Sequence, residues 1–413
     1  MPYYSLFLSI FEKNKNNMRK ITITVFLSFI SVMSSFAQYE ADVPADMMNI
    51  EYAEKADSMG KAILANKGSY ATAIELFKRS STIYKHFNGE TDESYLAAMP
   101  LLAKCYMRND QIKDAIAVLD IVSGIYEKNQ LDPESYAIIK DNLSVYYAMS
   151  NEKDKSLEAS KLAISTYEKT GKMDFDFAII LIHAAENEAA LGHYAEAIRH
   201  QLQALDILHQ LKGIGSENYI EELKYLQHYY ESAGETAKAQ KTTETIEALE
   251  KPGGGVRQAD ELQSTENCHY HRGDAYWCAE YYLTHKLSAA NAWEAGQYAT
   301  AWCISTDELS LEIDERHMKC IGDCPTELTA YFCACLMIGQ ANDASRLTRE
   351  MERMAMRLVV RHYAFNEDII IKKSPEMDKM LEYFKNETLD EKLLEIIPDV
   401  ADNEETPEKT GEK

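Results

Sequence analysis

Apolar positions recur along this chain with the 3.6-residue spacing of amphipathic helices. Leu102, Ala103 and Tyr106 place apolar side chains at i, i+1 and i+4, which is one face of a helix. Asn109-Asp110 interrupts that face, and Ala115, Leu119 and Val122 begin a second stripe. The pair then repeats. A small residue returns at Ala73, Ala115, Ser156, Ala197 and Ala239, in steps of 42, 41, 41 and 42. An aromatic or large apolar track runs through Tyr84, Tyr126, Tyr167 and Leu208, and a third through Tyr95, Tyr136, Phe177 and Tyr219, with the same period. Three tracks with one spacing predict about five helical hairpins over residues 51–251. A hairpin with one apolar face per helix cannot bury both alone, whereas stacking on its neighbours can.

In detail the hairpins resemble tetratricopeptide repeats of the long, kinesin-light-chain-like variety. The second unit carries Leu102, Ala103, Tyr106, Ala115 and Leu119 in the order of that motif. The third carries Leu143, Ser144, Tyr147, Ser156 and Leu157, and the fifth Leu226, Tyr230, Gly234 and Ala239. The fourth departs in its first helix, where Ala184, Ala185 and Glu188 stand in the motif positions, but keeps Gly192 and Ala197. The first unit matches mainly from Gly68 onward. The resemblance implies an all-α fold, a right-handed α-solenoid, and a concave groove lined by the first helix of each pair. Carried over to this chain, the groove positions are Lys104, Met107 and Arg108, then Asp141 and Val145, then Glu186, and finally Lys224, His228 and Glu231.

Lys251-Pro-Gly-Gly-Gly255 breaks the pattern, and residues 252–270 read as a linker or long loop. Helical signals resume over 271–397. There Ala292-Trp-Glu-Ala-Gly296-Gln-Tyr298-Ala-Thr-Ala301, followed by Gly339 and Ala344, suggests two degenerate repeats of the same kind. Residues 398–413 are Asp/Glu/Thr/Lys-rich with almost no apolar side chains and are expected to be disordered. At the other end, Met18-Arg-Lys20, the uncharged run Ile21–Phe36 and Ser35-Phe36-Ala37 form the three-part layout of a secretory signal peptide. Residues 1–37 are therefore expected to be an extension plus signal, cleaved after Ala37, with 38–50 a linker. The run of 16 residues is shorter than the roughly 20 that span a bilayer, so no integral membrane segment is expected in the exported, periplasmic or extracellular chain.

Seven of the eight cysteines, Cys268, Cys278, Cys303, Cys320, Cys324, Cys333 and Cys335, fall within 68 residues. Export favours disulfides, with Cys268, Cys278, Cys320 and Cys324 as candidates. Cys320-x3-Cys324 also has zinc-ligand spacing, which Cys268, His269, His271 and His317 would complete. A third reading makes several of them small core residues, Cys105 and Cys335 above all.

Composition narrows the function. With 43 Lys and Arg against 67 Asp and Glu, the formal charge of −24 argues against nucleic acid, whose recognition needs clustered cations. Neither a phosphate loop, a Gly-x-Ser-x-Gly elbow nor a His-Glu-x-x-His helix occurs, and no catalytic residue or cofactor is expected. Arg272-Gly273-Asp274 spells an integrin-type tripeptide without supporting context. The aromatic residues Tyr270, Tyr276, Trp277, Tyr281 and Tyr282 form either a core or an exposed patch. The expectation is an exported, non-catalytic scaffold that binds a protein or peptide in its groove. Two alternatives stand beside it: a metal- or thiol-dependent Cys/His-rich module to which the repeats present substrate, and a structural subunit of an envelope complex.

Overall fold

The computed structural model describes residues 39–370 and 373–399. The expected signal peptide, its expected cleavage point after Ala37 and nearly all of the acidic tail lie outside the described residues. Every regular element described is helical: eighteen α-helices, one 3-10 turn, and a single isolated bridge between Ser310 and Arg346. The all-α fold follows.

Five hairpins come first: α1 (Ile50–Ala65) with α2 (Tyr70–Asn88), α3 (Glu93–Arg108) with α4 (Ile112–Asn129), α5 (Pro133–Met149) with α6 (Lys153–Glu168), α7 (Phe175–Ala190) with α8 (Tyr194–Lys212), and α9 (Glu217–Ser232) with α10 (Thr236–Leu249). Their period is written in the turns. First helices start from a side chain that accepts a backbone N–H: Asn49, Asp92, Asp132, Asp174 and Ser216, in steps of 43, 40, 42 and 42. Second helices follow a tight turn with a residue of positive φ, at Lys67, Asp110, Asn151, Gly192 and Gly234, in steps of 43, 41, 41 and 42. In three of these turns the returning N–H donates to a tyrosine carbonyl, Gln111 to Tyr106 at 2.9 Å, Glu152 to Tyr147 at 2.8 Å and Glu235 to Tyr230 at 2.9 Å. These bonds satisfy carbonyls that a helix end leaves open, and they fix the start of α4, α6 and α10, none of which has a side-chain cap. The motif positions Leu102, Ala103, Tyr106, Ala115 and Leu119 are all buried, as are Leu143, Ser144, Tyr147 and Ser156.

The chain divides into two compact units. One holds the described residues up to Lys172 together with Glu186–Gly192; the other holds Met173–Ala185 and the described residues from His193 on. In the first, consecutive helices from α1 to α6 pack on one another. Its core includes Phe77, Leu102, Leu119 and Leu143. Residues 39–49, expected to be a linker, are docked onto this core. Tyr39 and Val43 are buried, the Tyr39 hydroxyl donates to Asp114 at 3.2 Å, and the Ala41 N–H donates to Thr82 Oγ1 at 2.9 Å.

In the second unit α8 packs against α9 and also against α12 (Arg272–Thr284). Between α10 and α12 lie the 3-10 turn Ala259–Glu261 and α11 (Thr265–Tyr270). Residues 252–270, expected to be a linker or long loop, thus carry two short helical elements, and a Cβ on Gly255 would stand 2.4 Å from the Gly215 Cα. Two further hairpins follow, α12 with α13 (Ala292–Ser305) and, after the short α14 (Glu315–Ile321), α15 (Pro325–Ala341) with α16 (Arg349–Phe365). Helices α12 and α13 both pack on α15, and α17 (Pro375–Lys385) and α18 (Leu389–Ile396) close over α16. The register differs from the one expected for this second array. Gly296 is inside α13 rather than in a turn, and it is glycine because a Cβ there would meet the Tyr282 ring at 2.5 Å. Ala344 falls after the end of α15 instead of within a second helix. The core here is aromatic, with Tyr282, Tyr298, Trp302, Tyr331 and Tyr363 fully buried.

Candidate functional site

First-helix residues expected to face a partner sit on four helices. On α3, Lys104 and Arg108 are exposed one turn apart, with Met107 half-buried beside them. Neither cation has an ion-pair partner among the described residues. On α5, Val145 is half-buried, but Asp141 is 5% exposed and so presents little to a ligand. Glu186 on α7 is exposed, as are Lys224, His228 and Glu231 on α9. Of these, Lys224 is paired with Glu250 at 2.7 Å, and Glu231 accepts from Gln227 at 3.1 Å.

The cysteines are not bonded to one another. Cys268, Cys278, Cys320 and Cys324, the disulfide candidates, are free thiols, as are the other four, and all eight are buried. Burial raises every thiol, Cys105, Cys303 and Cys320 to about 12, which leaves no thiolate for catalysis near neutral pH. The core reading is the one the packing supports.

Nor do the expected zinc ligands converge. His269 is exposed and bonds Asp307 at 2.6 Å, whereas His317 is buried and accepts the Asp314 N–H at 3.1 Å as part of the cap of α14. The Arg-Gly-Asp tripeptide is likewise inaccessible, because Asp274 is fully buried. The aromatic residues of the segment are mainly core. Tyr281 is stacked between Trp277 and His285, with Tyr282 buried next to it, while Tyr270 alone is exposed.

What the fold does assemble is a buried polar cluster in the second unit. His209, at the end of α8, and His271, at the start of α12, both reach one oxygen of Asp274. His209 Nε2 is 2.7 Å from Asp274 Oδ2 and His271 Nδ1 is 2.8 Å from it, while the Ile214 N–H donates to Oδ1 at 2.9 Å. Burial alone would raise the carboxyl, but the bonds from His209 and His271 outweigh it and hold it down to about 2. Around it, Arg257 pairs with Glu261 and stands 3.9 Å from Asp274, and Glu261 is 3.8 Å from His271 Nε2. The helices approach closely enough because glycine faces glycine at Gly213 and Gly273. Nothing local in the sequence announces this cluster. His209 and Asp274 are 65 residues apart, and neither the Arg-Gly-Asp tripeptide that holds Asp274 nor the candidate ligand His271 points to His209.

No family model matches the chain, and no curated protein does. Among solved structures the chain is similar to a putative kinesin light chain from Podosopora anserina with nearly identical TPR-like repeats. That match has 19% identity and a TM-score of 0.42 over 51% of this chain and 97% of that one. It is also similar to BtubC (BKLC) from P. vanneervenii, at 15% identity and a TM-score of 0.42 over 50% and 91%. The apo form of RapI gives 12% identity and a TM-score of 0.42 over 76% and 97%. By its own helices and turns, the chain is an all-α protein built of tetratricopeptide-like hairpins.

Proposed function

We propose that this protein is a non-catalytic scaffold that binds a protein or peptide through exposed first-helix faces of its hairpins. One observation carries the reading: Lys104 and Arg108 are exposed, adjacent cations without an ion-pair partner among the described residues, on a chain of net charge −24. Fixed cations on an otherwise acidic surface select an acidic segment and steer it, while like charge discourages other contacts. The half-buried Met107 between them supplies apolar contact area. A thiol-dependent reading is disfavoured by eight buried cysteines with raised pKa values. Export is part of the proposal and rests on Met18–Ala37 alone.

The test is photo-crosslinking from a residue beside Lys104, with native chain and the Lys104→Glu/Arg108→Glu variant exposed to the same envelope and secreted fractions. A partner captured by the native chain and lost in the variant is the expected result. Equal capture by both, or none by either, overturns the assignment. Export is checked on native protein, whose intact mass should begin at Gln38.

A further inference from the structure

We infer that His209, His271 and Asp274 form a binding site for a divalent transition metal, zinc by the chemistry of its donors. Two imidazoles and one carboxylate are a borderline-soft donor set suited to zinc, and magnesium or calcium would ask for oxygen ligands. Their ligand atoms lie within 4.8 Å of one another, and this is the one such triple among the described residues.

The surroundings are those a metal centre needs. Asp274 is held by the Ile214 N–H, which fixes the carboxylate plane. His271 offers Nδ1 to the site, and its Nε2 lies 3.8 Å from the Glu261 carboxylate, beyond hydrogen-bond reach but close enough for that charge to favour a cation. The hydroxyl of Tyr298 is buried without a hydrogen-bond partner among the described residues and interacts electrostatically with Asp274 and Glu261. Without metal, His209 Nε2 and His271 Nδ1 lie directly against Asp274 Oδ2, at 2.7 and 2.8 Å. Metal entry requires both of these nitrogens to be free of a proton. It also requires the nitrogens to draw back from the carboxylate by roughly half an ångström, given metal–ligand bonds of about 2.0–2.2 Å. Arg257, whose Nε stands 3.9 Å from Asp274 Oδ2, opposes a cation there, although it is also paired with Glu261.

The site would tie the end of α8 to the start of α12 through coordinate bonds. The test uses the full mature chain, stripped with chelator and titrated with zinc and with cobalt. One equivalent of cobalt should bind with visible d–d bands and no thiolate charge-transfer band, and zinc should raise the melting temperature. His209→Gln keeps a donor for Asp274 and should fold, yet lose stoichiometric binding. Glu261→Gln should weaken binding about tenfold, and Arg257→Gln should tighten it. A thiolate band would place the metal on the cysteines and overturn the assignment. Equal binding by native chain and His209→Gln, or no binding by native chain, would also overturn it.

Discussion

Gly273 lies so close to Gly213 that a Cβ added to it would stand 2.5 Å from the Gly213 nitrogen and 2.5 Å from the His209 carbonyl oxygen. Reciprocally, a Cβ on Gly213 would meet the Gly273 carbonyl oxygen at 2.7 Å, at a residue whose φ is +79°. The obstacles are backbone atoms, which cannot rotate away as a side chain can. This pair sets how closely α8 and α12 approach, and with it the distance from His209 to Asp274.

Gly273→Ala is therefore expected to cost about 1–3 kcal/mol of stability, at the upper end of that range, by separating the two helices. Urea unfolding followed by tryptophan fluorescence checks it, because Trp277 and Trp302 are both in the second unit. A change within a few tenths of a kcal/mol would mean that the helices slide apart freely.

Acid should weaken the second unit through His362. This side chain is buried, stacked on Tyr282 with ring centroids 4.7 Å apart, and burial lowers its pKa from 6.5 to about 4. Between those values the unfolded chain binds a proton that the folded chain refuses, so stability falls as pH drops from 6.5 to 4, by up to about 3 kcal/mol. Buried Glu327, whose carboxyl is raised above 4.5 by burial, contributes a slope of opposite sign from about that pH upward, within the same interval. Comparison of native chain with His362→Phe isolates the histidine: the variant should lose the decline across that same pH interval.

Thiol counting is a third check. Native protein should react negligibly with a bulky thiol reagent and then yield eight thiols per chain once unfolded without reductant, because all eight are free and buried. A shortfall of two or more after unfolding would reveal a disulfide.

In the first unit, Asn187 Nδ2 donates to Ser144 Oγ at 3.2 Å and to Ser160 Oγ at 3.1 Å, and all three side chains are buried. Asn187→Leu should cost about 1–3 kcal/mol by removing the donor to two buried hydroxyls, of which Ser144 keeps its own bond to the Asp141 carbonyl at 2.8 Å. Adding Ser144→Ala and Ser160→Ala to it should restore part of the loss, which denaturant titration of the three chains measures.

The repeat is legible in the sequence because each turn is built from local chemistry. The buried small residues Ala73, Ala115, Ser156, Ala197 and Ala239 recur every 41 or 42 positions, and a capping Asn, Asp or Ser and a residue of positive φ recur with nearly the same spacing. The hairpins after residue 271 are legible as helices but not in register, since Gly296 serves the Tyr282 ring rather than a turn. Lys251–Gly255 misleads for a related reason. Glycine marks flexible chain and tight packing alike, and here Gly255 lies against Gly215. The polar cluster is invisible to sequence reading, because the contact between α8 and α12 that joins His209 to Asp274 depends on long-range packing. Cysteine clustering points toward bonds or metal, whereas the fold uses those side chains as small core residues.

The turns that open the second helices of hairpins two to five each set one residue of positive φ two positions before the helix, although Asp110, Asn151, Gly192 and Gly234 occupy them. A segment cut at two such turns starts and ends in the same conformation, whatever side chain sits there. The array can therefore lengthen or shorten by whole hairpins through gene duplication or deletion, each junction closing as the old ones did. The number of hairpins is a variable that evolution could adjust in single steps, and one that an engineer could adjust in the same way.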